Sequence, residues 1–340
     1  MNKIKFVIVG VGNIGSKYVS LLEELPDAEL IAVVDSNFGR RKSINKLVPF
    51  FTSIEDFFTT RIHADVICIC TPNGLHPSQT IDCLNAGYHV ICEKPVALKA
   101  KDVLKMIEAE KISGKKVFAV MQNRYSPVAI WLKKLMSQKL VGEIRLLQIN
   151  CFWNRNNKYY QDSPWRATTE LGGGPLYSQF SHFIDLMIWI CGNPKEIKSE
   201  FFTLNKEIST QFQDSGIINF NLGKNGKGVF NFTNAAFETN IESSLTIIGS
   251  KGNVKVGGQY MEKLDFVNLD QVFEIPVFEN VTKANNYTYY KGSADKHDVF
   301  LEKVIDCIKS NQEPEIGLAD ELNVIHFIEQ AVLFAEAKSY

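Results

Sequence analysis

Ile4-Lys5-Phe6-Val7-Ile8-Val9-Gly10-Val11-Gly12-Asn13-Ile14-Gly15 decides the fold of this chain. Residues 4–9 are a nearly continuous β-branched and aromatic run, as expected of a parallel strand buried on both faces. The glycine motif follows at once, and helical apolar spacing runs from 16 to 25. A lone GxGxxG is weak, but here it occupies the strand-to-helix junction the motif requires. Gly10 can make the turn, Gly12 can admit a pyrophosphate, and Gly15 can let helix and strand pack closely. The helix start at Asn13 and Ile14 then offers backbone N–H groups to phosphates.

Residues 29–34 read as a second strand ending in Asp35, 20 residues beyond Gly15. A carboxylate there accepts both ribose hydroxyls of adenosine and repels a 2′-phosphate, so NAD is expected over NADP. Arg40 and Arg41 could neutralise a 2′-phosphate if the loop folded back; a solvated start to the next helix is the preferred reading. Buried strands follow at 65–70 and 88–92, the first closed by Thr71-Pro72-Asn73-Gly74-Leu75-His76-Pro77 and the second by Glu93-Lys94-Pro95. Ligands of open parallel sheets gather outside the carboxyl ends of the strands, which sends Lys94 toward the nicotinamide. A strand-end lysine is more often a solvated charge. Pro95, with a cis bond as one option, would aim it.

Composition excludes several classes. With 340 residues the chain is too long for one simple core, and two domains are expected. Lys plus Arg number 37 against 38 Asp plus Glu, so neither nucleic acid nor an anionic membrane is indicated as a partner. No apolar run approaches the roughly 20 residues of a membrane span. The N-terminus reads directly as a strand and the seven cysteines lie mostly in apolar segments, which points to a reduced, cytoplasmic protein. They show no metal-ligand spacing, so no metal is expected.

Beyond residue 122 the chain changes character. A helix at 127–139 is followed by longer strands at 143–153, 196–204, 215–222, 228–234, 243–248, 253–256, 263–267 and 271–277, several joined by glycine turns, and then by helices at 295–310 and 318–338. The expected architecture is α/β: an N-terminal Rossmann doubly wound parallel sheet over 1–122, and a C-terminal α+β domain over 123–340 with a large, mostly antiparallel open sheet. One free sheet face suggests a homo-oligomer, dimer or tetramer. Within this part, residues 154–166 form a long polar and aromatic connection, the kind that tends to bind ligands. Aromatic faces there can stack on rings, and Arg155 or Arg166 can fork onto phosphate or carboxylate.

The stretch Gly172-Gly173-Gly174-Pro175-Leu176-Tyr177-Ser178-Gln179-Phe180-Ser181-His182-Phe183-Ile184-Asp185 concentrates catalytic residue types. Pro175 suits a first helical turn, and one helix is expected to run to about Cys191. On that helix Ser178 and Gln179 lie one turn before His182, so the three can face one pocket. A buried polar trio must be bonded to protein or ligand, making His182 either a satisfied core histidine or a base.

GVGNIG after the first strand, TPNGLH, EKP, and GGG with a His eight residues on and an Asp three beyond it, taken together, resemble the Gfo/Idh/MocA oxidoreductase family over the whole chain. QNRYSP, YYQDSPWR and SQFSHFIDLMIW are most similar to its WlbA-type branch. The resemblance implies NAD-dependent oxidation of a sugar secondary hydroxyl, the 3-OH of a UDP-N-acetylhexosamine or its uronate, within nucleotide-sugar and polysaccharide biosynthesis. Catalysis would fall to Lys94 and His182, with exchangeable roles. Cofactor contacts would come from Gly10, Gly12, Asn13, Ile14, Gly15, Asp35, Thr71, Asn73, His76, Glu93, Lys94, Gln122 and Arg166. Substrate contacts would come from Lys94, Arg124, Tyr160, Trp165, Ser178, Gln179 and His182. Many relatives carry Asp four residues before the histidine; Ser178 stands there instead and cannot hold charge. Two other readings keep the fold: a dehydrogenase of a free polyol or aldose, and a non-catalytic NAD-binding regulator, against which the presence of both Lys94 and His182 argues.

Overall fold

A computed structural model describes residues 3–60, 62–278, 284–287 and 290–337. The chain divides into two compact units, Met1–Val120 with His297–Leu322, and Met121–Lys296 with Asn323–Tyr340.

The first unit is built on strands β1 (Ile4–Val9), β2 (Ala28–Val34), β3 (Phe50–Phe51), β4 (Val66–Ile69), β5 (His89–Cys92) and β6 (Val117–Ala119). Their order is β3-β2-β1-β4-β5-β6 and every pairing is parallel. All of β4 and all but Lys5 of β1 are buried, which accounts for their apolar runs. Strand order reverses between β1 and β4, the switch point at which such sheets bind ligands. The helix Asn13–Glu24 leaves β1 and buries Gly15, Tyr18, Val19 and Leu22, one apolar stripe at helical spacing.

The helix His297–Ser310 also belongs to this unit. His297 meets the Tyr18 ring edge-on at 5.8 Å, and the Ala119 N–H donates to the Ile316 carbonyl at 3.1 Å. The sequence reading, with its one break at 122, assigned this segment to the other domain. Amphipathic spacing reveals that a helix has an apolar face but not which sheet receives it.

The second unit carries β7 (Ile144–Phe152), β8 (Lys195–Phe202), β9 (Ser215–Leu222), β10 (Gly226–Thr233), β11 (Glu242–Gly249), β12 (Gly252–Gly257) and β13 (Lys263–Leu269), in the order β13-β12-β11-β7-β10-β9-β8. Only β7 and β10 run parallel; the other pairs are antiparallel. One face buries Leu147, Ile149, Phe220, Phe230 and Ile247, and helices cover it: Phe180 and Phe183 pack edge-on against Trp153, and Phe327 against Phe220. Residues 271–277, expected as a strand, form none. Pro276 lacks a ladder donor, and the segment straps the helix Pro127–Ser137 instead. The Trp131 indole donates to the Glu274 carbonyl at 2.9 Å and packs against Phe273 and Phe278. A hairpin of β14 (Ala284–Tyr287) and β15 (Tyr290–Ala294), absent from the sequence reading, completes the described strands.

Candidate active site

The glycine loop has the shape a pyrophosphate requires. Gly10 sits at φ +91°, and a Cβ there would stand 2.8 Å from the Cys70 carbonyl oxygen. A Cβ on Gly15 would lie 1.9 Å from the Gly10 oxygen, so only glycine lets helix and strand approach this closely. The middle glycine differs: around Gly12 only the Arg40 guanidinium comes within reach, at 3.4 Å, leaving the surface open for a phosphate. Asn13 and Ile14 open the helix whose N-terminal amides face this loop's end.

Asp35 is 9% exposed and braces the loop. Its Oδ2 accepts from the Val11 N–H at 2.7 Å and its Oδ1 from the Asn37 N–H at 2.8 Å. Arg40 Nη1 lies 3.3 Å from Oδ2, and Arg41 donates to the carbonyls of Ile44, Asn45 and Lys46. The two arginines are thus committed to Asp35 and to their own turn, which favours NAD over its 2′-phosphorylated form. The residues present fit NAD.

The ends of β4 and β5 carry the remaining expected cofactor residues. Thr71 donates to Gln79 Oε1 at 2.6 Å, and Asn73 is buried in the single turn Asn73–Leu75. His76 is 1% exposed, with Nδ1 2.8 Å from the Pro95 carbonyl oxygen and Nε2 2.8 Å from that of Thr71. Its ring ties the two strand ends together rather than facing open space. Burial pushes its pKa down, and the two carbonyls only partly oppose this. Glu93 accepts from the Tyr18 hydroxyl at 3.1 Å and from the Lys94 N–H at 3.2 Å, with His297 Nε2 3.6 Å away. Burial raises its pKa, but the His297 hydrogen bond and charge, with Lys94 and Tyr18, outweigh that and hold it below the usual value. Lys94 is half-buried at the start of the cis Lys94–Pro95 bond.

In the second unit, the expected single helix is two: Pro175–Ser178 and Ser181–Cys191. The N–H groups of Gln179 and Phe180 both donate to the Pro175 carbonyl, at 2.9 and 3.0 Å, so the hydrogen-bond ladder stalls before restarting. The break separates Ser178 from its neighbours. Its hydroxyl turns back to the Gly172 carbonyl at 2.8 Å and holds the glycine turn. Gln179 donates to the Tyr159 hydroxyl at 2.7 Å and accepts from Asn234 Nδ2 at 2.9 Å. Burial raises the pKa of the neighbouring Tyr160 hydroxyl. Arg166 stacks on Tyr159 at 4.3 Å, bonds the Tyr290 hydroxyl at 3.3 Å, and has Trp165 beside it.

His182 is 1% exposed, and Gln122 Nε2 lies 3.5 Å from its Nε2. That amide also donates to Ser293 Oγ at 3.0 Å, so Gln122, expected at the cofactor, stands beside the histidine. Arg124, expected at the substrate, is 6% exposed and forks onto Asp185 through Nε, at 2.9 and 3.1 Å, with its guanidinium over Trp189. It fixes the helix that carries His182. Sequence reasoning missed Asn234 and Tyr290, which no local motif marks. Among the described residues no group of three His, Cys, Asp or Glu could hold a metal, and no helix is long and apolar enough to cross a membrane.

The profile of the Gfo/Idh/MocA oxidoreductase family, NAD-binding Rossmann fold, matches residues 4–121, and that of the Gfo/Idh/MocA C-terminal domain matches residues 130–255. Among solved structures, the WlbA dehydrogenase of Chromobacterium violaceum, in complex with NADH and UDP-GlcNAcA, is 29% identical at a TM-score of 0.91, covering 99% of this chain and 95% of that one. The WlbA dehydrogenase of Bordetella pertussis, in complex with the same two ligands, is 28% identical at 0.87, covering 98% and 97%. Inositol 2-dehydrogenase of Salmonella paratyphi B is 26% identical over 222 residues, 63% of this chain and 62% of its own.

Proposed function

The chain belongs to the Gfo/Idh/MocA oxidoreductase family and is an NAD-dependent sugar dehydrogenase, and from that premise we propose that it oxidises the 3-hydroxyl of a UDP-N-acetylhexosamine or its uronate. The observation that carries this reading is the likeness to the two WlbA dehydrogenases along at least 98% of the chain. The non-catalytic regulator is set aside with the family assignment.

When bound, NAD would supply the hydride acceptor for the carbinol carbon, and the glycine loop and Asp35 would hold it. His182 takes the hydroxyl proton, and its burial keeps water from competing for the base. Lys94 is assigned the hydrogen bond that steadies developing alkoxide charge. With Ser178 bonded to Gly172, no carboxylate relay operates from that position.

A thermal-shift screen with NADH reads out the substrate class. UDP alone, and UDP-sugars more strongly, should raise the melting temperature, and NADH absorbance should appear when UDP-N-acetylglucosaminuronate is mixed with NAD. The competing reading, a free polyol or aldose, draws on the likeness to inositol 2-dehydrogenase. Stabilisation and turnover by inositol or glucose, with none by UDP or its sugars, would establish it instead.

A further inference from the structure

Arg155 is 3% exposed, yet among the described residues its guanidinium bonds only uncharged acceptors. Nη1 donates to the Asn154 carbonyl at 2.6 Å and to Asn240 Oδ1 at 3.3 Å, Nη2 donates to the Lys291 carbonyl at 3.2 Å, and Nε has no acceptor among the described residues. The rings of Trp153, Tyr159 and Tyr290 lie 4.7, 5.2 and 5.0 Å from the guanidinium carbon. Arg166 stacks on the same Tyr159, adding a second positive charge nearby. A buried charge is costly unless it is paired, and aromatic faces attract a cation without neutralising it.

Arg155 also lines a small, partly open cleft with Tyr160, Asn234, Thr210 and Asp214. Asp214 is the carboxylate in that lining, but it is taken. Its Oδ1 accepts from the Leu204 N–H and the Ser215 hydroxyl, and its Oδ2 from the Asn205 N–H. Through Asn234 the cleft joins Gln179, three residues before His182.

We propose that Arg155 is the anion-reading residue of the substrate pocket, donating from Nε to an oxyanion carried by the sugar. This rests on the sugar-dehydrogenase reading and narrows its substrate class. The ligand carries either a sugar carboxylate or the phosphates of a nucleotide, and a neutral polyol leaves the buried charge unanswered.

Binding to the full-length protein tests it without reference to turnover. Glucuronate, UDP and glucose are titrated by thermal shift against wild type, Arg155→Met and Arg155→Lys, with NAD affinity and circular dichroism as folding controls. In wild type at least one anion should stabilise where glucose does not. Arg155→Met should weaken that anion by about 10- to 100-fold with NAD affinity kept, as expected for one charge-assisted hydrogen bond, and Arg155→Lys should keep part of it. Loss confined to glucuronate identifies the carboxylate as the group read; loss confined to UDP identifies the phosphates. Equal stabilisation of wild type by glucose and both anions overturns the proposal even if Arg155→Met does not fold. Unchanged anion binding by a folded Arg155→Met does the same. Failure to form NADH with any UDP-sugar would count against the proposed function instead, leaving this binding result to stand separately.

Discussion

His182 is where residue chemistry and packing meet. The Gln122 amide lies 3.5 Å from its Nε2, and the ring is almost wholly removed from water. A general base contributes typically 10² to 10⁴ in rate, so His182→Ala should lose about that factor in kcat while NAD affinity stays unchanged. Turnover within a few fold of wild type would remove His182 from the base role. The motif around it was legible, since glycines followed by a polar trio on an apolar segment is a rare combination. The partners of that trio were not. Ser178 bonds Gly172 and Gln179 bonds Tyr159, because the helix stalls at Pro175 and aims the two side chains differently.

At the scale of elements, the short helix Gln122–Tyr125 and the helix Ser181–Cys191 are locked by Arg124 and Asp185, side chains 6% and 0% exposed. Removing one charge of a buried pair leaves the other unanswered. Asp185→Asn should therefore destabilise the fold by about 3–5 kcal/mol, measured by urea unfolding. A loss below about 1 kcal/mol would deny the pair its positioning role. Strand and helix positions were mostly evident from periodicity. One exception is residues 271–277, which have strand composition, but Phe273 and the adjoining Phe278 pack against Trp131. Tertiary contacts overrode local preference there.

Across the whole molecule, pH and assembly are the measurable consequences. Burial favours neutral His76, so the unfolded chain protonates first as pH falls through about 6.5 and stability declines from there. Glu93 has its folded pKa lowered; its contribution is present above about 4.3 and is lost as pH falls toward the folded value. Melting temperature should drop in two stages, one as pH falls through about 6.5 and one below about 4.3, and Glu93→Gln should flatten the second. A flat profile down to about pH 3 would contradict both assignments. The sheet of the second unit leaves Leu146, Ile217, Ile248 and Phe266 between 39% and 53% exposed, with Leu146 and Ile248 directly paired across β7 and β11. We propose that this face assembles copies of the chain into a dimer or tetramer. Light scattering should show a dimer or larger for wild type and a smaller species for Ile217→Asp with Ile248→Asp; a monomeric wild type would refute it.

The sequence by itself determined the parallel first sheet, the dinucleotide loop and the two residues to test, Lys94 and His182. Those signals are local: steric demands on glycine, a carboxylate at a strand end, apolar runs matched to burial on both faces. Only the tertiary structure decided which distant side chains share a pocket. Asn234 reaches Gln179 across 55 residues and Tyr290 reaches Arg166 across 124, and neither sits in a motif. Arg155 was marked as an anion-binding candidate by its place in the connection 154–166, but the aromatic rings around its charge come together only once the second unit has folded. Burial and hydrogen-bond partners are properties of the packed chain, and a linear pattern carries them only where one element supplies both members of a contact.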